Sequence, residues 1–377
     1  MVEPLEFDIE LSWECRSWKD CKVMTIDNKG RFATIEFFID KKGKDQAKIV
    51  PLCDYPKKAV TNHFWVFPES DTVCVWSSKM MHIYNARTKK KNSFVPVLSW
   101  KGFFDKAFEL SEKDLYMHFY YDSNEEDRHV YVTYDQNKKL INDEDFDEIS
   151  SERLLFQTEP YSKNFIACNM DYKNDFGEYF YYNIDSKERR CDDFTRKLTE
   201  LFQKSSYEMY INNNERYIIS VLWLTKEDNN RIRRIRENVL MTWDEEKKKF
   251  KVFPFNYLAP NEKRIEEITY ISEDLHWGLY RVKGYRGVNN ESLFKYAFVK
   301  FDIKYPTKVS PLIIIDDYHR HDHWEYGTFF EHFVYGTCFV YSYTDGKGIK
   351  KTYLYKMSDI EKEIEAKFKD AANKLVK

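Results

Sequence analysis

The sequence predicts an all-β repeat protein of about seven four-stranded antiparallel units followed by a C-terminal helix. Three observations carry this: a strong aromatic bias, a recurring pattern of four short apolar runs, and two turn markers that recur in phase. The 377 residues include 29 Phe, 28 Tyr and 9 Trp, side chains that suit a pleated, half-buried surface. Hydrophobic residues make up 42% and charged residues 33%, the balance of a globular chain rather than a disordered one. Only 11 Gly are present, so Asn, Asp, Lys and Glu have to build many of the turns.

The repeating unit is plainest between residues 63 and 98. His63–Phe67 leads through the turn Pro68–Asp71 into Thr72–Trp76. Met81–Asn85 follows, then the turn Ala86–Lys91 and a last run, Ser93–Leu98. Four short strands joined by polar turns describe one antiparallel sheet. A first-turn marker recurs at Ile26, Phe67, Leu110, Phe156, Ile211, Ile271 and Phe330. A third-strand terminus recurs at Asn85, Asp135, Asp185, Asp244, Asp302 and Asp359. Spacings of about 40 to 60 residues fit a four-stranded repeat with inserted loops.

A single four-stranded sheet cannot bury both faces, and stacking such sheets radially does so while leaving only short edges. The expected fold is therefore a single β-propeller spanning residues 1–358. No fourth strand follows Asp359. Phe7–Trp13, in which Phe7, Ile9, Leu11 and Trp13 alternate with polar residues, is the expected closing strand of the last blade. Ser358-Asp-Ile-Glu361 reads as a capping box. It opens an amphipathic helix over 359–377 with Ile360, Ile364, Phe368 and Leu375 on one stripe. Phe194–Gln203 has the same helical spacing and reads as an insertion. The competing architecture is two packed β-sandwiches divided near that insertion. Trp243-Asp244 stands where a WD repeat carries its dipeptide, and in this respect the chain resembles β-propellers of the WD-repeat sort. Asn85, Asp135, Asp185 and Asp302 follow other residues, so the resemblance implies architecture and points to no particular family.

A formal net charge of −3 provides no general attraction for nucleic acid, which is not the expected partner. The opening MVEPLEFDIE is acidic and has no basic, apolar leader, and no apolar run is long enough to span a bilayer. The seven cysteines are odd in number, irregular in spacing and lack C-x-x-C, so they read as free thiols in a reducing, cytoplasmic setting. No G-x-S-x-G, H-E-x-x-H or P-loop occurs, and no cofactor is implied.

The expected function is a non-catalytic protein-binding scaffold that uses charged loops on one face. The alternative is a carbohydrate-active hydrolase with paired Asp or Glu in a central pocket. Three clusters are candidates for the site. Asp316–Glu325 holds His319, His321 and His323, whose alternation could offer imidazoles to one metal together with Asp316 or Asp317. Lys226–Glu237, read as a long loop, carries Arg231, Arg233, Arg234 and Arg236. Arg281, Lys283 and Arg286 with Tyr285 could extend it into a patch for carboxylate or phosphate groups. The third cluster is acidic: Asp122–Asp127 with Glu125 and Glu126, and Asp143–Glu148. If the arginine cluster binds an anion, replacing Arg231, Arg233, Arg234 and Arg236 by Ser abolishes that binding and leaves the fold intact. The wild-type affinity also weakens as salt rises; a quadruple variant with unchanged affinity in a binding titration assigns the segment a structural role.

Overall fold

The computed structural model describes residues 2–9, 15–56, 61–77, 80–94, 103–112, 114–122, 127–135, 146–149, 152–171, 176–202, 209–212, 217–228, 231–254, 265–272, 274, 276–282, 294–301, 313–319, 327–344 and 350–375. The fold is all-β and propeller-like: seven four-stranded antiparallel sheets and a C-terminal helix. The first sheet runs Arg16–Trp18, Lys22–Ile26, Phe32–Ile39 and Asp45–Pro51. The second runs Thr61–Phe67, Thr72–Ser77, Met80–Asn85 and Lys91–Phe94. The third is Phe103–Glu109, Asp114–Asp122, Asp127–Asp135 and Phe146–Ile149. The fourth is Glu152–Gln157, Asn164–Asp171, Phe176–Asn183 and Arg189–Arg190. The fifth is Met209–Asn212, Tyr217–Asp228, Arg231–Asp244 and Lys249–Pro254. The sixth is Ile265–Ile271, Trp277–Val282, Phe294–Lys300 and Ile313–His319. Each of these is a meander in chain order.

The seventh sheet differs. Its first three strands are Gly327–His332, Gly336–Thr344 and Lys350–Lys356, and its fourth comes from the other end of the chain. Leu5–Phe7 pairs antiparallel with this edge, Leu5 opposite Leu354, Glu6 opposite Tyr353 and Phe7 opposite Thr352. Of the expected strand Phe7–Trp13, residues 10–13 lie outside the described residues. The Thr352 hydroxyl donates to the Ile9 carbonyl at 2.7 Å, and Lys351 pairs with Glu6.

Six of the seven first-turn markers fall in or beside the first strand of a sheet. Ile26 does not: it ends the second strand of the first sheet, and the corresponding first turn follows Trp18. The error arose because Arg16–Trp18 is only three residues long and shows too little alternation to be seen.

The third-strand termini have a physical cause. Asp40 accepts the N–H groups of Lys42 and Lys44 at 2.8 and 2.9 Å, Asn85 that of Thr88 at 2.8 Å, and Asp244 that of Lys247 at 3.0 Å. In the fourth sheet Asn183 rather than Asp185 does this, accepting from Asp185 and Ser186. Each turn then passes through a residue of positive φ: Gly43, Lys89, Lys187 and Lys248. An Asx side chain that holds the turn lets a lysine occupy the left-handed region usually left to glycine. Asp302 lies outside the described residues, and Asp359 belongs to the C-terminal helix.

By contact the chain forms two compact units. In Thr61–Phe253, the second to fifth sheets pack in sequence. Trp76, Met81 and Phe104 fill one interior, Tyr131, Leu154 and Phe165 the next, and Ile166, Leu198 and Val239 a third. Helix α1, Asp193–Phe202, is the expected insertion. Asp192 and Thr195 cap it reciprocally, each side chain bonding the other's N–H at 3.0 Å or less. The helix covers an edge that the short strand Arg189–Arg190 leaves open beyond Tyr181 and Tyr182: the Thr199 hydroxyl accepts the Tyr179 N–H at 2.9 Å.

In the other unit, Met1–Val60 with Pro254–Lys377, the seventh sheet packs between the first and the sixth. Phe7, Ile35, Phe37, Phe330 and Val340 fill one side. Leu279, Phe298, Phe339 and Tyr355 fill the other, joined by Ile360 and Ile364 of helix α2, Met357–Leu375. Helix α2 starts one residue before Ser358, and the Glu361 carboxylate pairs with Lys300. The Phe368 and Leu375 side chains lie outside the described residues.

Phe7 is 6% exposed, with its ring centroid 5.4 Å from that of Phe37. Phe7→Ala should cost about 3 kcal/mol through lost burial and the cavity left behind, read as a lowered urea midpoint. Deleting the chain through Phe7 should cost more and cause aggregation through the bared Lys350–Lys356 edge. A truncated protein that stays monomeric with an unchanged midpoint would show that this strand is dispensable.

Candidate interaction surface

The arginine segment is not a loop. Residues Arg231–Asp244 form a strand paired along its length with Tyr217–Asp228: Arg231 lies opposite Asp228, Arg233 opposite Lys226, Arg234 opposite Thr225 and Arg236 opposite Trp223. Ile232 and Ile235 are three residues apart, so no period-two apolar stripe marks this strand in the sequence. Arg281 sits in Trp277–Val282, opposite Glu267 and Tyr296, in the other compact unit. Lys283, Tyr285 and Arg286 lie outside the described residues. Asp316, Asp317 and His319 also belong to a strand rather than a loop, with His319 opposite Phe294. His321 and His323 lie outside the described residues, and among the described residues no cluster of three or more His, Cys, Asp or Glu could hold a metal. Asp122 and Asp127 pair across a hairpin end, and Asp147 and Glu148 belong to the strand Phe146–Ile149. Glu125, Glu126 and Asp143 lie outside the described residues.

The structure brings together other groups. A groove of about 540 Å³ opens on the fourth sheet beside the start of α1. Its walls carry Glu159, Glu188, Asp192 and Arg190. The Arg190 guanidinium lies 5.3 Å from the Tyr181 ring centroid, and the Asn183 amide donates to Asn164 at 2.8 Å. At this helix end the Asp192 carboxylate already accepts the Thr195 N–H.

In the first turn of the sixth sheet, Ser272, Asp274 and His276 join in a chain. Asp274 accepts from the Ser272 hydroxyl at 2.5 Å, from the His276 N–H at 3.0 Å and from the His276 ring at 2.8 Å. Burial works against the Asp274 carboxylate, but these hydrogen bonds together outweigh it and hold the carboxyl below its ordinary value. The carboxylate stands between serine and histidine, so the imidazole is not placed to take the serine proton as a nucleophilic triad requires. The Ser272 hydroxyl also accepts the Trp277 N–H at 2.9 Å, which makes this a turn lock.

The first turn of the seventh sheet is built differently. His332 is buried and braces it. Its Nδ1 accepts the N–H groups of Val334 at 3.2 Å and Tyr335 at 3.4 Å, and its Nε2–H donates to the Phe37 carbonyl of the first sheet at 3.2 Å. Tyr335 stacks on the His332 ring at 4.4 Å, and its hydroxyl donates to Asp45. Lys356 Nζ sits 3.8 Å from the Tyr335 ring centroid and 3.9 Å from Asp45. Gly336, at φ 67°, completes the turn. On this fixed frame Phe333 is 80% and Val334 66% exposed. Ile39, opposite Asp45 in the first sheet, is 48% exposed, and the Cys21 thiol meets the Phe333 backbone. Beyond Ile39 the hairpin carries exposed Lys41, Lys42 and Lys44.

This apolar tip was missed in the sequence although a signal exists. Among the described residues, the corresponding turns of the first two sheets read Lys19-Asp-Cys21 and Pro68-Glu-Ser-Asp71, whereas this one reads Phe333-Val-Tyr335.

All seven cysteines are free. Burial pushes the Cys168 thiol up to about 11 and the Cys338 thiol to about 12, and raises Cys74 further, so all three stay protonated and unreactive near neutral pH. Iodoacetamide at neutral pH should alkylate exposed Cys191 first and reach Cys74, Cys168 and Cys338 only after denaturation, as mapped by peptide mass spectrometry. Native labelling of Cys338 as fast as Cys191 would contradict the packing described.

No family model and no curated protein matches the chain. Solved structures similar to it include the β-propeller domain of the Trilobed protease from Pyrococcus furiosus. That match has 9% identity and a TM-score of 0.46, and covers 94% of this chain and 96% of that one. The Dos1 propeller has 8% identity and a TM-score of 0.48, covering 94% and 95%. The AfRom2 CNH domain has 10% identity and a TM-score of 0.44, covering 91% and 93%. At such identities and scores these likenesses carry nothing about function.

Proposed function

We propose that this protein is a non-catalytic protein-binding scaffold. The observation that carries the reading is the turn Phe333–Tyr335, where apolar side chains are held in water by a rigid polar frame. Burying a Phe or Val side chain is worth about 1.5–3 kcal/mol, and a turn needs no apolar tip. Exposed single hydrophobics are ordinary, but adjacent ones on a braced turn beside exposed Ile39 suit a partner that covers them. Sheets of this kind position their turns rigidly and leave the turn residues free to specify a partner.

The Phe333→Ser, Val334→Ser double variant tests this. Both side chains are exposed, so the melting temperature should stay within a degree or two of wild type. Proteins captured from the native cell by the wild type, identified by mass spectrometry, should be lost from the variant. An unchanged set of captured proteins would sink the reading. The competing hydrolase reading predicts turnover on a panel of glycosides, abolished by a carboxylate-to-amide change.

A further inference from the structure

We propose that the partner segment covering this tip is an acidic amphipathic peptide. Its apolar side chains would lie on Phe333, Val334 and Ile39, and its carboxylates would face Lys41, Lys42 and Lys44. The inference rests on the scaffold reading above and names the chemistry of the partner at the same surface.

Charge decides the partner. The two carboxylates of the hairpin end itself are committed within the fold. Asp40 holds the Lys42 and Lys44 N–H groups, and Asp45 takes the Tyr335 hydroxyl and faces Lys356; the exposed Glu331 accepts the Thr337 hydroxyl at 2.7 Å and keeps its charge. No carboxylate among the described residues pairs with the Lys41, Lys42 or Lys44 ammonium groups, and all three are exposed. The hairpin therefore presents three positive charges next to an apolar tip. Phe38 does not join the surface. It follows Phe37 on the opposite face of its strand, with Lys48 Nζ 5.5 Å from its ring.

The same pairing of apolar tip and lysines could suit an anionic bilayer. A peptide is favoured because Asp20 and Glu331, both exposed, lie close enough to Cys21, which meets the Phe333 backbone, to act on its thiol. A uniformly anionic surface would repel them, whereas a peptide can place its carboxylates opposite the lysines alone. The braced turn also lowers the ordering cost of binding, since Phe333 and Val334 sit on a backbone already fixed by His332.

Fluorescence anisotropy of the full chain distinguishes the outcomes. The probes are a labelled peptide of Leu and Phe interleaved with Glu, the same peptide with Lys for each Glu, and phosphatidylcholine vesicles with and without phosphatidylserine. The Glu peptide should bind, more weakly as salt rises. Lys41→Glu, Lys42→Glu, Lys44→Glu together, and Phe333→Ser separately, should each weaken it roughly tenfold or more. The milder Lys→Gln set, which keeps Asp40 and hence the turn, should weaken it in the same direction, with melting curves confirming the fold. If the Lys peptide binds as well as the Glu peptide, or neither binds, the acidic partner is overturned. In that case the scaffold reading still stands if Phe333→Ser, Val334→Ser loses its captured proteins. If the chain instead binds phosphatidylserine vesicles and loses them on Phe333→Ser, the surface faces a bilayer and both readings fall.

Discussion

An exposed strand edge is the constraint on which this architecture turns. A four-stranded sheet whose last strand is missing presents unpaired N–H and C=O groups to any other chain. The C-terminal sheet is in that position, because after Lys356 the chain enters α2. Leu5–Phe7 fills the gap. Its side chains enter the interior between the first and seventh sheets, where Phe7 meets Phe37 and Phe37 stacks on Phe330 at 5.4 Å. The two ends of the chain thus secure the same sheet, one by pairing at its edge and the other by docking Ile360 and Ile364 against its neighbours.

Much of this was legible in the sequence because it rests on local chemistry. The first three runs of the second sheet fall where alternation and the Pro68–Asp71 turn place them, while of the expected run Ser93–Leu98 only Ser93 and Phe94 are among the described residues, in the strand Lys91–Phe94. Asn85 marks the third strand because its side chain closes the following turn. The recurring Asx residue is visible in the sequence as a pattern, and the geometry of the turn explains it. The pattern drifted by two residues at Asp185, where Asn183 does the bonding. Sequence periodicity cannot tell which of two neighbouring Asx residues points back into the turn.

The functional surface was less legible, for two physical reasons. Charge suggests a loop, yet Arg231–Arg236 pair residue by residue with Trp223–Asp228 and so continue a strand. Apolar residues usually mark strands, and Phe333 and Val334 directly follow the apolar strand Gly327–His332, so nothing local separates them from it. Only comparison with the polar turns of the other sheets marks them as out of place.

His332 links these two levels. One imidazole closes the turn through Nδ1 and fastens it to the first sheet through Nε2–H. Burying two apolar tip residues is favourable by the hydrophobic effect, and here the backbone that carries them is braced by His332, the Tyr335–Asp45 hydrogen bond and Gly336. His332 and the Tyr335–Asp45 hydrogen bond therefore both brace this turn and tie it to the first sheet, so one set of side chains serves the contact between these sheets and the presentation of Phe333 and Val334.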